Sequence, residues 1–204
     1  MAEENTNGRL EAFCDGVFAI ALTLLIIEIK LPSPESITTT GEFWLALRHI
    51  APSIFAFVLS FIVILITWVN HHAFMKLVNK SSVSFIYANG FLLLTVVFVP
   101  FPTALMGEYI MTDIAAPAVA LYNAVLAIQG VSWDLMCAAV LANRLAKSEK
   151  ATAQMNVSRK KGRMAIVVYA VLAIASFWFP HITAAITAAT WIFWLIFGIT
   201  LRRE

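Results

Sequence analysis

The sequence predicts an all-α integral membrane protein, a bundle of six transmembrane helices. Of its 204 residues, 61% are hydrophobic and only 13% are charged, whereas about a quarter of the residues of a soluble domain are charged. Six apolar stretches are long enough to cross a hydrocarbon core of about 30 Å, which takes roughly 20 helical residues. Because the chain has the length of one ordinary domain, we expect residues 1–204 to form a single domain.

The predicted spans follow one another in order along the chain. They cover residues 13–31, 43–69, 85–106, 114–142, 164–180 and 182–200. The last two are predicted to form a tight hairpin broken at Pro180, because proline lacks an N–H and clashes with the preceding turn. The polar stretch 143–163 is predicted to be a cytoplasmic linker, which either determines topology or contacts anionic lipid. The connection 32–42 is predicted to be irregular and exposed.

Basic residues are segregated to one side of this arrangement. Only Lys30 and Arg48 fall on the far side, and the other twelve of the fourteen Lys and Arg residues fall on the side of the N-terminus. This larger group includes Arg202 and Arg203 at the end of the chain. Because Lys and Arg resist translocation, we predict a multi-pass protein of the cell membrane with both termini in the cytoplasm.

The first predicted helix carries a carboxylate inside its apolar run. An ionised Asp15 that faces lipid would be costly, so this residue is either a structural hydrogen-bonding position or part of a functional site. Each residue advances about 100° around the helix axis, so a set of residues lies along one line of the helix. This stripe is about 140° around the axis from Asp15. The stripe consists of Gly16, Ile20, Thr23, Leu24, Ile27 and Leu31. In a helix that is apolar all round, periodicity does not decide whether this stripe faces lipid, protein or a pore.

Two segments resemble a known family. The first helix contains, in order, Arg9, Phe13, Asp15, Ala19, Ile20, Thr23, Leu24 and Pro32. This run closely resembles the first-helix signature of the transmembrane protein 175 family of potassium channels, which reads roughly R-x-x-x-F-S-D before an alanine, an isoleucine and a threonine-leucine pair. Cys14 stands where that signature has a serine. The segment TWVNHHAF, residues 67–74, is similar to the family's W-x-x-H-H segment.

The resemblance implies a potassium-selective channel in which single-repeat members assemble as homotetramers with helix 1 lining the pore. By this resemblance, Ile20 is expected to be the principal constriction, with Leu24 and Ile27 as further apolar rings. Thr23 is expected to form a hydroxyl layer that binds potassium transiently. The expected partners are copies of the same chain, potassium ions and the lipid bilayer. We expect no enzymatic activity, no cofactor and no nucleic-acid partner.

Polar side chains at the cytoplasmic level are predicted to support the first helix. The expected network joins Asp15 to Asn70, His71 or His72, with Arg9 as a further member. A pH-sensing role of the histidines stays open, because histidine titrates near neutrality. The alternative function is a secondary transporter, proton-coupled through Asp15 and His71 or His72.

The fourth predicted helix also carries polar residues. Asn123, Gln129 and Asp134 could mark a polar path through the bundle, but hydrogen bonds between helices are the favoured interpretation.

Overall fold

The computed structural model describes residues 7–30, 33 and 37–200, with side chains described as far as residue 192. Leu31, Pro32, Arg202 and Arg203 lie outside the described residues, as does most of residues 31–36. The regular secondary structure of the described residues is helical, apart from one isolated bridge pair, which confirms the all-α prediction. Its elements are α1 (Gly8–Leu24), a 3-10 helix (Leu25–Glu28), α2 (Thr40–His49), α3 (Ala51–Met75), α4 (Val83–Phe98), α5 (Pro100–Tyr109), α6 (Ala115–Ala142), α7 (Glu149–Ala175) and α8 (Pro180–Thr200).

Four helical stretches in the described range are long and apolar enough to cross a membrane. They are Gly8–Glu28, Ala51–Met75, Val83–Tyr109 and Ala115–Ala142. They correspond to the first four predicted spans, with ends shifted by several residues. Helix α7 is not among these candidates, because its first half is rich in charged residues, and the side chains of α8 are described only as far as residue 192.

Proline interrupts two of the predicted spans. The stretch 43–69 is two helices, α2 and α3, which meet at Ile50 just before Pro52. The stretch 85–106 is likewise divided, because α4 and α5 meet at Val99 just before Pro100. Proline has no N–H to continue the hydrogen-bond ladder but suits the first turn of a new helix. The stretch 43–69 is therefore divided between two helices, whereas α4 and α5 together still form one membrane-span candidate, Val83–Tyr109.

The prediction that residues 143–163 form a linker is wrong, because α7 begins at Glu149 and includes most of this segment. The Ser148 side chain caps this helix by accepting a hydrogen bond from the Ala151 N–H at 3.1 Å. Ala151 and Met155 are buried, and Met155 packs in a cluster with Phe74 of α3 and other residues. Lys, Arg, Glu and Ala favour helix, so a segment that looks polar in sequence forms an amphipathic helix with a packed face.

The hairpin predicted at Pro180 is present. Helix α7 ends at Ala175 and α8 begins at Pro180. The hydroxyl of Ser176 lies 2.9 Å from that of Thr183 across the turn. Short connections make neighbouring helices antiparallel, so α7 and α8 run in opposite directions.

Glycine permits the close approach of α6 to α7. A Cβ atom at Gly130 of α6 would lie 2.8 Å from Cγ1 of Ile166 in α7. Small residues at such contacts let two helix backbones come near enough for extensive van der Waals packing. Helix α7 therefore packs closely against α6 around this position.

The loops at one end of the bundle are joined by hydrogen bonds. The Asn79 N–H donates to the Leu145 carbonyl at 2.8 Å, and the Lys147 N–H donates to the Leu77 carbonyl at 2.9 Å. The Asn7 side chain, just before α1, donates to the Val78 carbonyl at 3.2 Å. The start of α1, the α3–α4 loop and the α6–α7 loop thus lie at the same end.

Candidate functional site

Helix α1 packs with only one side against its own chain. Its buried residues recur every three or four positions, the spacing of one helix face; they are Cys14, Phe18, Ala21 and, in the 3-10 helix, Leu25. This face contacts α3 and α4, in a cluster that includes Ile64 and Val96. The opposite side of α1 is left uncovered by the rest of the subunit.

The predicted pore residues all lie on this uncovered side. Ile20 is 58% exposed, Leu24 is 39% exposed and Ile27 is 69% exposed. Thr23 is exposed between them. The structure therefore brings the four residues to one continuous surface, of which Ile27 belongs to the 3-10 helix and not to α1 itself.

The Thr23 hydroxyl is oriented by its own helix. Its hydrogen is directed to the carbonyls of Ile20 at 2.9 Å and Ala19 at 3.1 Å. A hydroxyl that donates its hydrogen keeps two lone pairs, so the oxygen is free to act as a ligand for a cation. Within the described residues, no group of three or more His, Cys, Asp or Glu side chains could hold a metal ion.

A buried polar triad fixes α1 to α3 and α4. Asn89 of α4 donates from Nδ2 to Cys14 Sγ at 3.0 Å, so its Oδ1 accepts from Nε2 of His71 at 2.7 Å. All three side chains are buried. His71 also lies with its ring 5.4 Å from the ring of Phe18. The triad thus ties three helices together at the level where polar groups were predicted.

Asp15 has a different partner from the ones predicted. Its Oδ1 accepts a hydrogen bond from Trp68 Nε1 at 2.8 Å, and the Trp68 ring stacks on His72 at 6.0 Å. No hydrogen bond or ion pair of Arg9, and none of Asn70, is found in the described range, and both side chains are exposed. Asp15 and His71 therefore belong to two separate sets of contacts.

Sequence reasoning did not predict the hydrogen bond between Trp68 and Asp15. The signal was available, since Trp68 lies three residues before His71 and therefore on a neighbouring part of the same helix face. Asn7, which also accepts from the Ser81 hydroxyl at 2.6 Å, was missed because it precedes the apolar run.

The polar residues of α6 make contacts between helices. Asn123 accepts a hydrogen bond from the Thr187 hydroxyl of α8 at 2.7 Å. Asp134 lies 2.9 Å from Nε of both Arg159 and Arg163 in α7. The favoured interpretation is confirmed for these two residues. A hydrogen bond between helices is not found for Gln129, whose buried Nε2 has no partner among the described residues.

Comparison with known proteins identifies the family. A family model described as the endosomal/lysosomal potassium channel TMEM175 matches residues 9–100. A potassium channel of Chamaesiphon minutus is 42% identical over 161 residues, which cover 79% of this chain and 74% of that protein. The chain belongs to the TMEM175 family. The resemblance noted in the first helix is therefore confirmed.

Two other matches extend over nearly the whole chain. A potassium channel of a Chryseobacterium species is 30% identical over 194 residues, or 94% of this chain and 93% of that protein. A crystal structure of a lysosomal potassium-selective channel TMEM175 homolog from Chamaesiphon minutus matches with a TM-score of 0.84 and 34% identity, over 95% of this chain and 98% of that one. TMEM175 proteins are multi-pass ion channels and not enzymes, as predicted.

Proposed function

We propose that this chain is the subunit of a potassium-selective channel that conducts passively, and that four copies surround a pore lined by α1. The names of its relatives support potassium as the permeant ion. The observation that carries the proposal is the uncovered stripe of α1, in which the apolar side chains of Ile20, Leu24 and Ile27 accompany the hydroxyl of Thr23.

One flank of α1 carries an exposed acid, which favours water or further subunits over lipid as its surroundings. Asp15 is exposed on α1 apart from its single bond to Trp68. An ionisable group that faces hydrocarbon is costly, so intramembrane acids face protein or water. A symmetric ring of α1 helices would supply both protein and water. One side of each α1 would face the pore, and its flanks would face neighbouring subunits.

Selectivity would come from a narrow apolar ring. A constriction of four Ile20 side chains would empty of water when closed, and an ion that passed it would shed part of its hydration shell. Potassium releases its shell more readily than sodium. The Thr23 oxygens would replace some of the lost water ligands, and potassium would bind there only transiently.

The same proposal includes the topology. The four membrane-span candidates, the apolar half of α7 and α8 make six crossings of one domain in the cell membrane. The loops joined at one end carry Lys76, Lys80, Arg144 and Lys147, so the preference of basic residues for the cytoplasm supports cytoplasmic termini.

Flux through reconstituted vesicles tests the proposal. The protein is placed in liposomes with a potassium gradient, and uptake is measured with and without a pH gradient. Passive conduction predicts uptake that does not depend on the pH gradient, whereas strict coupling to protons would establish the transporter built on Asp15 and His71 or His72. The mass of the intact complex should correspond to four chains.

Site variants then test the pore residues. Ile20→Asn should raise the leak of sodium and potassium together, and Thr23→Ala should lower the preference for potassium over sodium. Ile174→Asn is the matched control, because Ile174 of α7 is 61% exposed but lies on another helix. Parental flux in both α1 variants, or an equal leak in the control, would contradict the assignment of the pore to α1.

A further inference from the structure

An open groove lies beside the α2–α3 junction, at the end of the bundle opposite the joined loops. Its volume is about 450 Å³. Its walls are formed by α3, the end of α5 and α8, mainly through Pro52, Phe55, Leu59, Met106, Ile110 and Ala184. Among the described residues that line it, Arg48 alone is polar.

The groove is charged at one end and apolar along the rest of its length. Arg48 is in the last turn of α2, and the wall continues from Ala51 to Leu59 along α3. Eight residues of helix rise about 12 Å, and α3 runs from its first residue into a membrane-span candidate. The charged end therefore lies at the membrane surface, and the apolar part extends toward the middle of the bilayer.

The charge at the mouth of the groove is not neutralised by the described part of the chain. Arg48 is exposed, and no ion pair or hydrogen bond of its side chain is found in the described range. Lys30, the other basic residue predicted on this side, differs in this respect because its Nζ lies 2.9 Å from Glu108 Oε2. That hydrogen bond raises the pKa of Lys30.

We propose that this groove binds one anionic phospholipid of the adjacent leaflet, with an acyl chain along α3 and the phosphate on Arg48. An arginine presents a planar fork of N–H donors that matches phosphate oxygens. An acyl chain matches the apolar walls, which would otherwise leave a void beside closely packed helices. The order of polarity in the groove is that of a lipid, headgroup first and chain below.

The test counts lipids retained by the intact assembly. The protein is purified from nanodiscs of phosphatidylglycerol or of phosphatidylcholine, and native mass spectrometry measures the tightly held lipid for each chain. We expect one phosphatidylglycerol per chain and clearly less phosphatidylcholine. Arg48→Gln should weaken phosphatidylglycerol retention about tenfold, equivalent to about 1.4 kcal/mol, and Arg48→Lys should retain most of it.

A second variant tests the apolar part. Ala184→Phe should fill the groove and remove the retained lipid without a change at Arg48, and Ala184→Leu serves if the larger ring prevents folding. Lys76→Gln removes a positive charge at the opposite end and should leave the count unchanged.

Three results would overturn the proposal. They are equal retention by the parent and Arg48→Gln, equal retention of the two lipids, and a structure of the assembly in which protein fills the groove. None of them bears on conduction through α1, so this proposal and the proposed channel fail separately.

Discussion

Replacing Asn89 with alanine should destabilise the subunit and disturb the seating of α1. The Asn89 side chain lies between two buried partners, Nε2 of His71 at 2.7 Å and Sγ of Cys14 at 3.0 Å. Alanine removes both hydrogen bonds at once. The positions are enclosed by three helices, so the orphaned groups have no ready access to solvent.

The size of the effect follows from these contacts. A buried polar group left without a partner costs about 1–3 kcal/mol, and this applies to the imidazole of His71. The thiol of Cys14 is a weak acceptor, so its loss adds little. Side-chain hydrogen bonds inside membrane proteins contribute about 0.6 kcal/mol on average. We therefore expect the free energy of unfolding to fall by about 1–3 kcal/mol.

The assay is equilibrium unfolding in detergent, with potassium flux measured on the same preparation. Asn70→Ala is the matched control, because Asn70 lies on α3 next to His71 but is exposed. Exposed substitutions away from special contacts usually change stability by less than about 0.5 kcal/mol. An Asn70→Ala cost as large as that of Asn89→Ala, or no cost for Asn89→Ala, would refute the reasoning.

Three other perturbations have defined outcomes. Gly107→Ala should cost about 1–3 kcal/mol of unfolding free energy, because the new Cβ would lie 2.7 Å from the backbone Cα of Ser53; Gly90→Ala, where nothing lies within 4 Å, should cost nothing in the same measurement. Asp134→Asn should loosen α7 from α6, seen as faster amide hydrogen exchange in the middle of α7 around Arg159 and Arg163, since these two arginines lose their counter-charge; unchanged exchange would contradict this. Hydrogen bonds from Thr38 and Thr39 lower the pKa of Glu42 below its ordinary 4.5, so the capping box of α2 should stabilise that helix above pH 4.5 and lose this effect as pH falls through the lowered pKa. Protection of the α2 amides from hydrogen exchange, corrected for the pH dependence of the intrinsic exchange rate, should show that loss in the parent and not in Glu42→Gln.

Composition and local pattern were sufficient for the class of the protein and for its four membrane-span candidates. A backbone in hydrocarbon must satisfy its own hydrogen bonds, and a long apolar run does this as a helix. The positions at which helices are interrupted were harder to predict from the sequence. Pro52 and Pro100 were visible, but proline within an apolar run is compatible with a kinked helix or with two helices, and packing against neighbouring helices selects between them.

Segment 143–163 shows why polarity alone misled. Its charges are those of an exposed linker, yet Ala151 and Met155 provide a narrow apolar face. That face becomes a reason to form helix only when a complementary surface, here the cluster with Phe74, is present. In a single sequence the partner surface is not visible, so the linker and the helix could not be distinguished.

The candidate site was also predictable from the sequence only in part. The spacing of Ile20, Thr23, Leu24 and Ile27 placed them on one line of the first predicted helix, because helix geometry is local and periodic. Which polar groups meet that helix was decided by tertiary structure: Asp15 binds Trp68, while His71 binds Asn89. These pairings depend on how α3 and α4 are rotated against α1, and that rotation comes from the packing of buried side chains on several helices at once.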